Sequence, residues 1–150
     1  MGGELVTTIR TAVPADLPAI REVYRSASLS NAGEREVLLA HPEVLVFDGA
    51  AVDEGRVRVA VAGDGAVVGF ASALVTGDVV ELEDLFVDPG WMRQGIATRL
   101  VEDAVARVPG AGPVEVTANE HAMAFYTSVG FVQVGVAQTR FGPARRLRRG

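Results

Sequence analysis

Hydrophobic and polar residues alternate with two different periods along the chain, and these periods mark the predicted elements. The segment LVTTIRTA, residues 5–12, alternates with the period of two that is typical of a strand, and Pro14 ends it. Apolar side chains then recur at helical spacing in residues 14–28. A second short helix is predicted over residues 32–42, where Pro42 stops it. The pattern thus predicts one strand followed by two helices.

The rest of the chain is dominated by predicted strands, which are joined first by turns and later by helices. Residues 56–63 and 66–75 alternate as strands and flank Asp64-Gly65, a pair that favours a tight hairpin turn. The later predicted elements are a strand over 78–87, a helix from about Gln94 to Val108, a strand over 112–118, a helix over 120–129, a strand over 131–139 and a final strand in the arginine-rich end. Strands joined by hairpins and then across helices predict a mixed sheet covered by helices.

Composition narrows the class of protein. With 150 residues, 49% of them hydrophobic and 22% charged, the chain is predicted to form a single domain over residues 1–150. We expect no transmembrane helix, because charge or glycine interrupts every apolar run, and the N-terminus lacks the apolar core of a signal peptide. The absence of cysteine excludes a disulfide, a thiolate nucleophile and a zinc-thiolate centre, and no metal site is predicted. A cytoplasmic location is expected.

Charge argues against nucleic acid as a main partner, because the net charge is −5 and phosphate binding needs a basic face. The exception is ARRLRRG at residues 144–150. We interpret it as a strand in which arginines alternate with Leu147 and face solvent. An RNA or membrane contact is the alternative, but no aromatic residues nearby support it. Neither nucleic acid nor membrane is a predicted partner.

The stretch WMRQGIATRL, residues 91–100, begins a helix without the Ser, Asp or Asn that commonly caps one. Uncovered N–H groups at a helix start carry partial positive charge and bind anions, and a glycine such as Gly95 lets a ligand approach the backbone. Arg93 would add charge-assisted hydrogen bonds. The segment lacks the Walker and Rossmann patterns, so we predict a phosphate-bearing cofactor of another type. The alternative is that Gly95 only permits close packing of the helix on the sheet.

The same stretch carries a family resemblance. LFVDPGWMRQGIATRLVEDAV resembles the central acetyl-CoA motif of the GNAT N-acetyltransferase superfamily, Arg/Gln-x-x-Gly-x-Gly/Ala, at residues 92–97. Met92 departs from it, standing where Arg or Gln is usual. Downstream, NEHAMAFYTSVGF matches the second motif, Asn-x-x-Ala-x-x-Phe-Tyr-x-x-x-Gly-Phe, and TIRTAVPADLPAIREVY looks like the family's first strand and helix. The resemblance covers nearly the whole chain.

The resemblance implies an α/β (α+β) fold with a mixed, mostly antiparallel sheet of six to seven strands, flanked by about four helices and splayed between strands four and five. It implies acetyl-CoA as cofactor. The pantetheine arm would pair with the freed strand, the Val87 N–H would face the thioester carbonyl, and the helix start would cradle the pyrophosphate. The implied cofactor-binding residues are Leu85, Phe86, Val87, Arg93, Gln94, Gly95, Ile96, Ala97, Thr98, Asn119, Phe125 and Tyr126. For Asn119, capping of the next helix is the alternative.

In the family's mechanism an amine attacks the thioester directly in a ternary complex, so no protein nucleophile is needed. Tyr126 falls where the family often places the donor of a proton to the CoA thiolate; the alternative is a packed aromatic. Glu81 matches the position of a glutamate base in some members, with Glu83 and Glu115 as rivals. Glu81 and Glu83 share a face of a regular strand, where partial desolvation would raise their pKa values. In the alternative, these carboxylates only attract a cationic substrate while water carries the proton.

The predicted function is therefore transfer of acetyl from acetyl-CoA to a primary amine of a small molecule or peptide. Tyr24 and Asn31 of the first helices, together with Glu81 and Glu83, are the candidates for binding that amine. A non-catalytic acyl-CoA-binding or regulatory module on the same fold and a nucleotide-phosphate-binding protein remain alternatives. The apolar late strands make a homodimer a further hypothesis.

Overall fold

The computed structural model describes residues 7–30, 32–107, 112–140 and 142–150, without the side chains of residues 32–34. Its strands are β1 (Thr8–Thr11), β2 (Val57–Val61), β3 (Val67–Thr76), β4 (Val79–Val87), β5 (Val114–Ala118), β6 (Val132–Thr139) and β7 (Gly142–Arg149). Its helices are α1 (Leu17–Leu29), α2 (Ala32–Ala40), the single turn α3 (Ala50–Asp53), α4 (Ile96–Arg107) and α5 (Met123–Ser128).

The strands form one seven-stranded sheet in the order β1-β2-β3-β4-β5-β7-β6. Every neighbouring pair is antiparallel except β4 and β5, which are parallel. The parallel pair is possible because α4 carries the chain across the sheet between these strands. The predicted mixed, mostly antiparallel sheet is confirmed.

A separate core lies on each face of the sheet. On one face the buried stripe of α4, formed by Ile96, Leu100, Val101 and Ala104, packs with Tyr126 and Phe131. On the other face α1 contributes Ile20 and Val23, which pack with Phe47, Val57 and Phe70. Both stripes follow the helical period expected from the sequence.

Helices α4 and α5 begin later than the sequence pattern suggests. Helix α4 begins at Ile96 rather than Gln94, because Gly95 has a φ of 79°, outside the helical region. The predicted end at Val108 lies outside the described residues. Helix α5 begins at Met123, after a 3₁₀ turn over Glu120–Ala122. In both places a backbone conformation that hydrophobic spacing does not report decides the boundary.

Strands β4 and β5 part soon after they meet. Their ladder consists of Val80 opposite Val114 and Glu81 opposite Glu115. The remainder of β4 keeps β3 as its only neighbour among the described strands. The predicted splay between the fourth and fifth strands is therefore confirmed, and it opens a cleft beside residues 82–87.

No helix within the described ranges is long and apolar enough to cross a membrane. The cytoplasmic location stays a prediction.

Candidate active site

The open edge of β4 presents backbone hydrogen-bond donors to the cleft. The Asp88 N–H donates to Val68 O at 2.8 Å, so this N–H points toward β3. Successive N–H groups of a strand point to opposite sides, and those of Val87 and Leu85 therefore point away from β3, where β5 has left the ladder. The cleft wall thus offers donors without a strand partner.

The start of α4 offers a second group of donors. Its first N–H to find a partner is that of Arg99, which donates to Gly95 O at 3.0 Å. In the part of the chain that the structure describes, no N–H of residues 93–98 donates a hydrogen bond to another residue. Arg93 and Gly95 both have left-handed backbone conformations, with φ of 65° and 79°. The chain therefore turns tightly before the helix and leaves its first amides uncovered.

Gly95 itself lies in open space. A Cβ built on it would meet no atom within 4 Å. The alternative role for Gly95, close packing of the helix on the sheet, requires atoms near that position and finds no support. The side chains of Arg93, Gln94 and Thr98 are exposed around it.

Arg99 anchors this helix start to the first strand region. Its guanidinium donates to the Thr7 carbonyl at 2.8 Å and also contacts the Thr7 hydroxyl. Thr7 is buried. The first turn of α4 is thereby held against a part of the chain that is distant in sequence.

The ring of Tyr126 is buried in the core, but its hydroxyl is accessible to solvent. The residue is 7% exposed, and its ring meets Phe125 and Phe131 edge to face at 5.1 and 5.2 Å. The hydroxyl bonds to no described residue, while no fully buried side-chain oxygen in the described ranges lacks a partner. The hydroxyl therefore reaches solvent. Burial, with a smaller contribution from the charge of Asp84, raises the pKa of Tyr126 above its usual range.

Glu81 and Glu115 face each other across the last rung of the β4–β5 ladder, and Arg146 of β7 binds both. Its guanidinium donates to the two Glu81 oxygens at 2.7 and 2.9 Å and to Glu115 Oε1 at 2.7 Å. Arg148 donates to the remaining Glu115 oxygen at 2.8 Å. The two arginines hold the pKa of Glu115 below its usual range. Both oxygens of each glutamate are thus engaged by cations.

Beyond that rung, β4 is irregular. Its register with β3 shifts so that Ser72 lies opposite Asp84 while Ala73 lies opposite Leu82, which leaves Glu83 as the extra residue of a bulge. Glu83 accepts from Arg56 at 2.6 Å. The two glutamates predicted to act together therefore bind different arginines.

Asp84 is the side chain that the sequence interpretation missed. Ser72, itself 1% exposed, donates its hydroxyl to Asp84 Oδ2 at 2.5 Å. Desolvation raises the pKa of Asp84 despite this hydrogen bond, and the charges of Glu83 and Asp48 raise it further. A signal was present in the sequence, because regular alternation would place Asp84 on the same face as Leu82, in the core, where an unpaired carboxylate is costly. The bulge is what moves Asp84 off that face.

Of the remaining predicted site residues, Tyr24 and Asn119 are described and Asn31 is not. Tyr24 of α1 donates its hydroxyl to Val44 O at 2.8 Å, and its ring meets Phe86 edge to face at 4.9 Å. Asn31 lies outside the described residues. Asn119 is exposed and makes no side-chain capping bond to the turn that follows it, so capping finds no support.

Comparison with known proteins tests the family. A profile of the acetyltransferase (GNAT) family matches residues 17–131, which is most of the chain. The chain belongs to the GNAT acetyltransferase family. Comparison with curated proteins gives no match.

Solved structures of this family share the fold of the present member. The chain is 16% identical to PaiA N-acetyltransferase from Thermoplasma acidophilum in complex with coenzyme A, with a TM-score of 0.71 and 96% and 98% of the two chains covered. It is 21% identical to the ribosomal-protein-S18-alanine N-acetyltransferase of Escherichia coli, with a TM-score of 0.69 and coverage of 96% and 93%. It is also 21% identical to nourseothricin acetyltransferase, with a TM-score of 0.70 and coverage of 95% and 97%.

Proposed function

We propose that this protein is an acetyl-CoA-dependent N-acetyltransferase that acts on a primary amine of a small molecule or peptide through a ternary complex. The observation that carries the proposal is the coincidence of two unpaired sets of backbone donors. One lies along the open edge of β4 and the other at the start of α4. Membership of the GNAT family supports the same activity.

The cleft suits acetyl-CoA, which supplies the acetyl group as a thioester when bound. The N–H groups of residues 93–98 would hold the pyrophosphate, because uncovered amides at a helix start bind phosphate. The open space at Gly95 admits the phosphates close to the backbone, and Arg93 adds charge. Leu85, Phe86 and Val87 would line the pantetheine arm, with Asn119 and Phe125 across the cleft. The CoA complex of the PaiA enzyme supports this choice of cofactor.

The chemistry proposed for the chain's own groups needs no protein nucleophile. The Val87 N–H, aimed at the cleft, would polarise the thioester carbonyl as an oxyanion-hole donor does. Tyr126 would return a proton to the leaving thiolate. Its raised pKa keeps the phenol protonated at neutral pH, as a donor must be.

Glu81 and Glu83 stay the proposed carboxylates of the acceptor side, and Tyr24 stays a candidate for binding the amine. Ion pairs with Arg146 and Arg56 hold them in place, and Glu83 keeps one oxygen without a described partner that could attract a cationic amine. A homodimer stays a hypothesis. The exposed Val132, Val134 and Val136 of the edge strand β6 support it.

The test is an acetyl-transfer assay on the purified chain with acetyl-CoA and a panel of polyamines, aminoglycosides and peptides. Thiol release and mass spectrometry of the acetylated amine are the readouts. We expect Tyr126→Phe to lower kcat by about 100-fold and to leave the Kd for CoA unchanged.

Thr127→Val, which removes an exposed hydroxyl from the same helix, is the matched control and should keep full activity. If the wild-type chain binds CoA but acetylates no amine on the panel, a non-catalytic acyl-CoA-binding module replaces the enzyme.

A further inference from the structure

The four carboxylates around the point where β4 leaves β5 differ in what holds their oxygens. Glu81 and Glu115 have both oxygens bound by arginine. Glu83 has one oxygen bound by Arg56 at 2.6 Å. Asp84 alone of the four makes no ion pair with a described residue, since its one partner is the neutral hydroxyl of Ser72.

The second oxygen of Asp84 is open. Oδ1 bonds to no described residue, and no fully buried side-chain oxygen in the described ranges lacks a partner. Oδ1 therefore reaches solvent while Oδ2 is fixed by Ser72, a residue that is 1% exposed. The carboxylate is thus held in one orientation with a single acceptor directed outward.

Asp84 also lies in the part of β4 that no longer pairs with β5. Phe86, two residues along β4, packs edge to face on Tyr24 at 4.9 Å, which places Asp84 on the α1 face. Tyr126 belongs to the core on the opposite face, yet the charge of Asp84 is close enough to act on both tyrosines.

Tyr126 is a second side chain with an unpaired polar atom. The residue is only 7% exposed, and its hydroxyl has no partner among the described residues. A buried, packed ring has an unpaired hydroxyl, and the carboxylate three residues before Val87 has an unpaired oxygen, so a ligand in the cleft could satisfy both groups.

We propose that Asp84 binds the ammonium group of the acceptor and takes its proton. This inference rests on the proposed acetyl transfer and assigns a residue that the sequence motifs do not. Oδ1 accepts an N–H hydrogen bond from R–NH₃⁺ and then the proton, which leaves R–NH₂ with a free lone pair.

Each proton that moves in the proposed reaction has a donor and an acceptor. The amine nitrogen bonds to the acetyl carbon and the carbon–sulfur bond breaks. Tyr126 gives its proton to the sulfur and regains one from the nitrogen. Asp84 loses the first proton to solvent, so that one proton is released for each amide formed.

The surroundings of Asp84 decide its pH dependence. Ser72 on β3 stabilises the carboxylate, and Arg56 does so through its charge. Burial and the negative charges of Glu83 and Asp48 oppose ionisation, and Tyr24 and Tyr126 face it as neutral phenols. Activity should therefore fall as pH drops through the pKa of Asp84, which lies above the usual range for aspartate.

The first test measures binding without turnover. The NMR signal of the Asp84 carboxyl carbon is assigned from its absence in Asp84→Asn. The pKa of this carboxyl is then measured by pH titration of the signal with CoA present. We expect n-butylammonium to lower the pKa of this carboxyl and n-butanol to leave it unchanged. No effect of n-butylammonium would overturn the proposal. If n-butylammonium shifts this pKa but the chain acetylates no amine, the ammonium site is supported and the proposed acetyl transfer is contradicted.

The second test is kinetic and uses an acceptor from the amine panel. Asp84→Asn should lower kcat by about 10² to 10⁴-fold and remove the acidic limb of the pH profile. Ser72→Ala should keep that limb but move it to higher pH, because the carboxylate loses its hydrogen bond. A merely structural role of Asp84 would not move the limb.

Asp78→Asn is the matched control, an exposed aspartate in the turn before β4 that should leave kcat and the pH profile unchanged. Circular dichroism and the Kd for CoA should be unchanged in Asp84→Asn. An Asp84→Asn enzyme with activity within about threefold of wild type and the same acidic limb would contradict the proposal.

Discussion

Asp84 illustrates how one residue can be unfavourable for stability and useful for chemistry. Its burial disfavours the charged form, and only the Ser72 hydroxyl opposes that effect by direct contact. The folded state therefore binds the Asp84 proton more tightly than the unfolded chain does. Between the unfolded pKa of about 3.9 and the higher folded pKa, the folded state carries more protons, so stability falls as pH rises.

Asp84→Asn should remove this penalty. Relative to wild type, the free energy of unfolding of the variant should increase between pH 4 and pH 7, because only wild type must ionise a half-buried carboxyl. Urea denaturation at the two pH values measures it, with Asp78→Asn as the control that shows no such change. A wild-type chain that gains stability over Asp84→Asn as pH rises would contradict this account.

At the scale of elements, the turn before α4 joins the sheet to the helix and creates the predicted phosphate site. Two left-handed residues, Arg93 and Gly95, turn the chain on either side of Gln94, so the amides of residues 93–98 have no partner among the described residues. Arg99 fixes the resulting helix start against Thr7. Backbone conformation, more than side-chain identity, defines the proposed site, so Met92 at the usual Arg or Gln position leaves these backbone donors in place.

Gly95→Asp and Gly95→Ala separate charge from strain. Both place a side chain at a φ of 79°, at a similar cost of about 1 kcal/mol, in space where a Cβ meets nothing within 4 Å. Only the aspartate adds negative charge beside the amides. Isothermal titration should show CoA affinity reduced by at least about 100-fold in Gly95→Asp and by less than about tenfold in Gly95→Ala.

Both variants should remain folded by circular dichroism. Equal CoA affinities in the two variants would remove the phosphate-binding interpretation of this turn.

At the scale of the whole molecule, the C-terminal arginines join the end of the chain to its middle. Strand β7 lies between β5 and β6, and Arg146 reaches past β5 to Glu81 on β4. The sequence pattern predicts these arginines on a solvated face, but each of Arg145, Arg146, Arg148 and Arg149 pairs with a glutamate. The single sheet supports the prediction of one domain over residues 1–150, which stays a prediction.

Arg146→Met should test this connection. Glu81 and Glu115 would then face each other without the shared cation, and we expect the free energy of unfolding to drop by about 2 kcal/mol at pH 7. The loss should shrink at pH 4 and below, because the lowered pKa of Glu115 contributes stability only where the carboxylate is ionised.

Arg148→Met is the control. Its side chain is 43% exposed against 22% for Arg146 and binds a single glutamate, so the loss should stay below about 1 kcal/mol. Adding Glu81→Gln to Arg146→Met should recover part of the stability. Equal losses of unfolding free energy in the two arginine variants would show that the ion pairs of Arg146 across three strands stabilise the fold no more than the single pair of Arg148.

Periodicity and motifs of consecutive residues were enough to predict the order of the elements, the buried stripes of α1 and α4, and the family. Tyr126 and the α4 turn were identified in the same way. Which carboxylate keeps an open oxygen depends on contacts between distant strands. The bulge in β4, which turns Asp84 out of the core, and the arginines that occupy Glu81 and Glu115 arise from strands far apart in sequence. Register and ion pairing between distant strands leave no periodic trace in the chain, so residue spacing could not report them.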